Sequence, residues 1–232
     1  MRLLIIGDGR MGRAIDALAR DRGHDVIAVL GKNENDGASW LTPERAVGVD
    51  VAIEFTEPSA ARDNVWRCIE RGVAVVSGTT GWSDELAQVE SETRRRNGAL
   101  FWAPNFSLGV ALATEAIRAA GALFGAHSQF DAHIVETHHA AKKDAPSGTG
   151  ASIRDALGES LGRPVDISSI RVGHVPGTHT VIFDGAFEQI TITHEARDRR
   201  VFADGALRAA EWLVGRHGVF TMHDLLFAPE GS

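Results

Sequence analysis

The chain is 232 residues long, 44% hydrophobic and 24% charged, with a formal net charge of −7 at pH 7. That length can bury a sizeable core as one large domain or two small ones, and the acidic balance argues against a nucleic-acid surface, which needs a basic face. The one cysteine, Cys68, excludes an internal disulfide and reads as a buried thiol; no apolar run approaches the ~20 residues of a membrane span, and Met1 leads straight into a motif, so a cytoplasmic protein with no membrane partner is expected.

Residues 3–6 form a short apolar run, the pattern of a strand buried on both faces of a parallel sheet. Gly7, Asp8, Gly9, Arg10, Met11 and Gly12 follow, and then Ala14, Ile15, Leu18 and Ala19 recur at helical spacing. A G-x-G-x-x-G turn between strand and helix is the setting of a dinucleotide site, because the glycines allow a tight turn and let a pyrophosphate approach the helix N-terminus. The competing reading is a glycine-rich turn without a ligand. A second strand at 26–30 ends on Gly31, Lys32 and Asn33 rather than on the acidic residue that commonly binds ribose hydroxyls in NAD enzymes. Lys32 suits a 2′-phosphate and tilts the expected cofactor from NADH towards NADPH.

Further strands fall at 49–55, 73–76 and 100–102, with helical segments at 60–70 and 84–96 between them. This alternation predicts a Rossmann-type doubly wound parallel sheet, an α/β fold. Ligands of such sheets lie beyond the carboxyl ends of the strands. The glycine turn can therefore share one crevice with Gly78, Thr79 and Thr80 after the fourth strand, and with Ala103, Pro104, Asn105 and Phe106 after the fifth.

Beyond residue 107 the pattern changes. An alanine-rich helix is expected at 108–124, a half-exposed strand at 129–136, a helix at 151–161 and strands at 167–172, 178–183 and 186–193. The last three are joined by short loops carrying Gly173, Gly177 and Gly185, which implies antiparallel or mixed pairing. Residues 107–204 thus read as an α+β domain with an open mixed sheet, inserted into a dinucleotide-binding domain of residues 1–106 and 205–232. The open sheet needs cover, and self-association is one way to supply it. The helical period returns from residue 204, and the tail at 220–227 is apolar enough to pack.

The chemistry concentrates between Glu136 and Gly150. His138, His139, Lys142 and Lys143 sit within six positions, and Pro146, Ser147, Gly148, Thr149 and Gly150 make a turn in front of a helix. Adjacent histidines on an extended chain point to opposite sides, so a turn is needed to bring both into one pocket. The N–H groups of Gly148 and Thr149, with the Thr149 hydroxyl, suit a carboxylate at a helix N-terminus. Proton donors beside an anion-binding turn fit an anionic small molecule that must receive a proton. Two adjacent histidines without a carboxylate or cysteine at ligand spacing make a poor metal set, and no metal is expected.

These motifs resemble the dihydrodipicolinate reductase (4-hydroxy-tetrahydrodipicolinate reductase) family. The resemblance rests on Gly9-Arg10-Met11-Gly12-Arg13, Gly78-Thr79-Thr80-Gly81, the run from Asn105 to Val110 and the long motif from Glu136 to Thr149. Arg171-x-Gly173, Gly177-x-His179 and Phe202-Ala203-x-Gly205-Ala206 extend it through the chain. It implies NAD(P)H-dependent reduction of a small cyclic dicarboxylate in the diaminopimelate route to lysine, by a homotetramer. It also implies His138 as proton donor, Lys142 as assisting donor, His139 in contact with substrate, and Gly148 and Thr149 on a substrate carboxylate. By the same resemblance Gly78, Thr79 and Thr80 border the nicotinamide, Ala103 to Phe106 lie at the domain junction, and Lys143 is a bystander. Two rival readings are another NAD(P)-dependent amino-acid-type dehydrogenase, which has no need of the His-His-x-x-Lys block, and a non-catalytic NAD(P)H sensor, which would carry a partner surface.

Overall fold

The computed structural model describes residues 1–227, so the end of the expected dinucleotide domain, 228–232, lies outside the described residues. The chain divides into two compact units: Met1–Ser107 together with the chain from Arg200 onward, and Leu108–Arg199.

The first unit carries β1 (Arg2–Ile6), α1 (Arg10–Asp21), β2 (Asp25–Leu30), α2 (Pro43–Ala46), β3 (Val51–Glu54), α3 (Pro58–Glu70), β4 (Ala74–Ser77), α4 (Ser83–Arg95) and β5 (Ala99–Trp102). After the second unit the chain returns. Among the described residues its sheet has six strands, and every pairing in it is parallel. The strands read as near-continuous apolar runs because both faces are covered. Leu4, Ile6, Ala52, Val75 and Leu100 pack on Ala61, Val65, Cys68 and Ile69 of α3 and on Val89 of α4. The alternate residues Leu3, Ile5, Ile53, Val76 and Phe101 point to the other face and are also buried. In-register pairing sets Leu30, Ile6, Glu54, Ser77 and Trp102 in one row across the sheet. That row is the carboxyl edge from which the glycine turn and the loops after β4 and β5 emerge.

The second unit carries α5 (Leu108–Gly125), β6 (Asp131–His138), α6 (Gly148–Leu161), β7 (Asp166–Arg171), β8 (Thr178–Asp184) and β9 (Gln189–Glu195). Back in the first unit, α7 (Arg200–Leu213) lies against α1 and across β3, β4 and β5, and β10 (Gly218–Phe220) and α8 (Met222–Phe227) follow it. The full order of the six-stranded sheet is β10-β5-β4-β3-β1-β2. An edge strand, β10, thus leads into the apolar tail expected at 220–227, with Val219 opposite Leu100.

The second sheet runs β7-β6-β8-β9 and is mixed, with β6–β7 parallel and the other two pairs antiparallel. Strands β7 and β8 follow each other in sequence but do not pair, since both flank β6. The α6 crossover makes β7 parallel to β6, which leaves the other edge of β6 for β8. Ile117 of α5 and Ile153, Leu157 and Leu161 of α6 close one face over Ala132, Ile134, Val181 and Phe183. No membrane-length apolar run was expected, yet the 18 residues of α5 reach that threshold by length and composition. The helix carries Glu115 and Arg118, and Arg118 pairs with Glu159 on α6.

Candidate active site

At the carboxyl edge of the first sheet, Gly7 has φ 116° and its N–H donates to the Leu30 carbonyl at 2.8 Å. A Cβ on Gly12 would lie 1.8 Å from the Gly7 carbonyl oxygen, so α1 can leave β1 this tightly only with glycine there. A Cβ on Gly9 would meet nothing within 4 Å. The turn is thus closed on its inner side and open where a ligand would approach. Arg10, Met11 and Gly12 form the first turn of α1, which holds no acidic residue and receives no side-chain cap from Gly9. Its N–H groups suit an anion.

A cavity of about 560 Å³ opens here, bordered by Gly7, Asp8, Gly9, Lys32, Asp36 and Glu57 among others. These observations fit a dinucleotide. Lys32 lines the cavity, but its Nζ pairs with Glu57 Oε1 at 2.9 Å. The hydrogen bond and charge of Glu57 raise the lysine's pKa, and those of Lys32 lower the glutamate's. Asp8, Asp36 and Asp63 add further carboxylates to the lining.

The other expected cofactor residues do not border that cavity. Gly78 follows β4, and a Cβ there would lie 2.2 Å from the Phe55 ring. Thr79 is buried, its hydroxyl donating to Glu54 Oε1 at 2.8 Å and accepting from the Thr56 N–H at 2.7 Å, while Thr80 is exposed. Fully buried Glu54 also accepts from Ser77 Oγ at 2.7 Å and from the Thr56 hydroxyl. Burial raises its pKa, and the hydroxyl donors oppose that rise. After β5, Ala103 and Phe106 are buried, Pro104 is exposed, and Asn105 Oδ1 accepts from the Ser107 N–H at 2.8 Å. Cys68 is buried, and that burial, with the nearby Glu54 charge second, pushes its thiol up to about 12.

In the second unit, β6 continues through His138, so Ala132, Ile134, Glu136 and His138 alternate onto one buried side. Sheet register sets Ser169, Glu136, His179 and His194 side by side, with Arg171 opposite His138. Glu136 Oε1 accepts from Arg171 Nη2 at 2.7 Å and from the Ser147 N–H at 3.3 Å. Glu136 Oε2 lies 2.5 Å from His138 Nδ1, an approach too bent for a regular hydrogen bond and held by charge and contact. Burial alone would raise the Glu136 pKa. Hydrogen bonds from Ser169, Arg171 and Ser147, with the charge of His138, outweigh it and hold the carboxyl down at about 2. Burial pushes the His138 pKa down, Glu136 opposes, and Lys142 and Arg171 add to the fall. His179, edge-on to His138 at 5.2 Å between ring centroids, is pushed down to about 4, first by burial and then by the His138 charge.

Glu136, His138 and His179 place ligand-type atoms within 4.8 Å of one another. The Arg171 guanidinium on Glu136 opposes a second cation there, and the cluster reads as an ion pair beside a neutral imidazole.

The turn after β6 brings Lys142 back, its N–H bonded to the His139 carbonyl at 3.0 Å. Lys142 Nζ pairs with Asp144 Oδ1 at 2.9 Å. That contact, followed by smaller contributions that include the Gly148 N–H, lowers the Asp144 pKa. His139 faces away from the Glu136 row and meets Arg199, Nε2 to Nη2, at 3.3 Å. Lys143 is exposed. Ser147 caps α6, its Oγ accepting from the Gly150 N–H at 3.0 Å, and Gly148 and Thr149 open a first turn without acidic residues. The structure therefore groups His138, Lys142, Gly148 and Thr149 around the end of β6 and the start of α6, and places His139 on the other side of the strand. Sequence reasoning gave no role to Glu136, Arg171, His179 or His194. The signal was present for Glu136 in the two-residue alternation that links it to His138.

A parallel sheet with a glycine turn at its carboxyl edge, and a second unit carrying buried histidines beside a helix start without acidic residues, are the features of a Rossmann-type oxidoreductase. Residues 1–106 match the family description "Dihydrodipicolinate reductase, N-terminus", and residues 109–226 match "Dihydrodipicolinate reductase, C-terminus". The chain belongs to the dihydrodipicolinate reductase family. It is 40% identical over 238 residues to the 4-hydroxy-tetrahydrodipicolinate reductase of Xanthomonas euvesicatoria pv. vesicatoria, covering 97% of this chain and 98% of the relative. It is 34% identical over 239 residues to the enzyme of that name from Christiangramia forsetii, with the same coverage. Its fold is similar to a dipicolinate-bound dihydrodipicolinate reductase from Paenisporosarcina sp. TG-14, with a TM-score of 0.78 at 22% identity over 95% of this chain and 97% of that one.

Proposed function

We propose that this protein catalyses the NAD(P)H-dependent reduction of 4-hydroxy-tetrahydrodipicolinate to tetrahydrodipicolinate, in the diaminopimelate route to lysine. The observation that carries the reading is the grouping of His138, Lys142 and the α6 N-terminus in a chain of this family. When bound, NAD(P)H supplies the hydride. The chain's own residues hold the two reactants and complete the reduction with a proton. Gly7, Gly9 and the first turn of α1 would hold the pyrophosphate, and Gly78, Thr79 and Thr80, with Thr79 bonded to Glu54, would border the nicotinamide. Gly148 and Thr149 bind one substrate carboxylate. Lys142 leaves Asp144 to meet the incoming anion, since both carboxylates compete for the same ammonium group. His138 donates the proton, and positive charge from Lys142 stabilises the anionic character that develops on reduction.

We place substrate binding and self-association in the second unit, as a homotetramer in the cytoplasm. Neither a dehydrogenase of another amino-acid type nor a sensor requires a buried Glu136–His138 pair beside a carboxylate site.

Dipicolinate is a planar probe with both carboxylates. It is expected to bind saturably in the presence of NADH and to compete with substrate, by calorimetry and by inhibition. No binding, or binding unaffected by Thr149→Val, would remove the substrate site from residues 138–149.

The Lys32–Glu57 pair sets a second expectation. Glu57→Gln should release the lysine for a 2′-phosphate and raise NADPH affinity relative to NADH by about two- to fivefold, the modest scale of an exposed ion pair. Fluorescence titration with both cofactors checks it, and an unchanged ratio would place Lys32 away from the 2′ position.

A further inference from the structure

We propose that Glu136 is the positioning residue of the proton donor: its carboxylate fixes the Nδ1 side of His138 and supplies the negative charge that keeps a proton on Nε2 for delivery to substrate. This rests on the reading of His138 as that donor.

Glu136 is completely buried, and a buried carboxylate is strongly disfavoured unless it is paired. It is paired twice. Arg171 and the Ser147 N–H hold Oε1, at 2.7 and 3.3 Å, so the carboxylate cannot swing away from His138. Oε2 is left to face Nδ1 at 2.5 Å. The two residues share the buried side of β6, two positions apart, so the strand itself sets their spacing. With Nδ1 turned to the carboxylate, Nε2 is the nitrogen left for chemistry. It faces Gly177, where even a Cβ would come within 3.0 Å, and glycine leaves that nitrogen uncovered by a side chain.

The surrounding charges make Glu136 necessary. Lys142 acts on His138 from the turn after β6, where it is paired with Asp144, and its positive charge still adds to the fall of the His138 pKa. Arg171 faces it from β7, His179 from β8, with His194 behind on β9, and α6 brings only the Ser147 cap and no acidic residue in its first turn. Glu136 is thus the one carboxylate touching the imidazole among the described residues. Burial and the neighbouring cations disfavour an imidazolium, and Glu136 opposes both. In the step itself the Nε2–H bond breaks, the proton bonds to the substrate that has accepted hydride, and neutral imidazole with its proton on Nδ1 remains. A proton taken up from the bulk solvent then restores the Nε2–H bond.

The test is the pH dependence of kcat in the full-length enzyme. For the wild type, kcat falls on the alkaline side as His138 loses its proton. Glu136→Gln keeps the shape and removes the charge, and the fall should move to lower pH by about one to three pH units. The Kd for NADH should be unchanged. Glu136→Asp should keep the fall near its wild-type position. A uniform loss of kcat in Glu136→Gln with the fall unmoved would mean a merely structural role and overturn the proposal. In His138→Gln the fall should vanish. If it persists there, the donor reading fails and the proposal with it, whereas a fall lost in His138→Gln but unmoved in Glu136→Gln overturns the proposal alone. Should Glu136→Gln not fold, nitrogen chemical shifts of wild-type His138 decide: neutral imidazole protonated at Nδ1 is expected, and protonation at Nε2 would overturn it.

Discussion

Replacing His138 by glutamine is expected to lower kcat by roughly 10²- to 10⁴-fold, the usual contribution of a positioned general acid, and to change the Kd for NADH by less than about twofold. Lys142→Ala should cost roughly 10²- to 10³-fold, as removal of one preorganised positive group does. The asymmetry between turnover and cofactor binding follows from placement. His138 and Lys142 belong to the unit Leu108–Arg199, and the cavity beside the glycine turn is built from residues of the other unit. Lys143→Ala, one position away and exposed, should leave kcat near wild type. Steady-state kinetics with parallel NADH titrations separate these effects. Loss of NADH binding in both His138→Gln and Lys142→Ala would put the histidine block in the cofactor site.

The second large effect is expected at the glycine turn. A Cβ at Gly12 would meet the Gly7 carbonyl at 1.8 Å, and that oxygen belongs to the backbone of the turn itself. Gly12→Ala must push α1 away from β1. It should weaken NADH binding by more than about tenfold and destabilise the first unit by roughly 1–3 kcal/mol, the common range for overpacking. Gly9→Ala supplies the contrast. Its Cβ meets nothing within 4 Å, so the melting temperature should hold while NADH affinity falls. Calorimetric melting with NADH titration on both variants checks this pair. Full NADH affinity in Gly9→Ala would mean that the pyrophosphate does not approach this face of the turn.

The sequence carried most of the architecture, since buried parallel strands and their helices announce themselves by apolar runs and period. The strands β1 to β5 could be read in this way, and so could the mixed second sheet. What it lacked was pairing. Nothing in residues 218–220 distinguishes an edge strand from a packed tail, because three residues are too few to display a period. The separation of β7 from β8 depends on which edge of β6 the α6 crossover leaves open.

The site divides in the same way. Residue types and their order pointed to candidate proton donors and a candidate carboxylate turn within Glu136 to Gly150, and the glycine spacing pointed to a candidate dinucleotide turn. Partnerships across strands were hidden. Arg171 lies 35 positions from Glu136 and reaches it only through the β6–β7 register. The Glu57 that occupies Lys32 is 25 positions away, at the start of another helix. Thr79 faces the same problem, because its hydroxyl is committed to Glu54 from the neighbouring strand.

The central claim is tested most directly by following oxidation of the reduced nicotinamide while 4-hydroxy-tetrahydrodipicolinate is generated in situ by the preceding synthase, with NADH and NADPH in parallel. Oxidation is expected with at least one cofactor, only when the synthase and its substrates are present, and it should fall in His138→Gln to a small residue of the wild-type rate. No oxidation of either cofactor with substrate present would contradict the assignment.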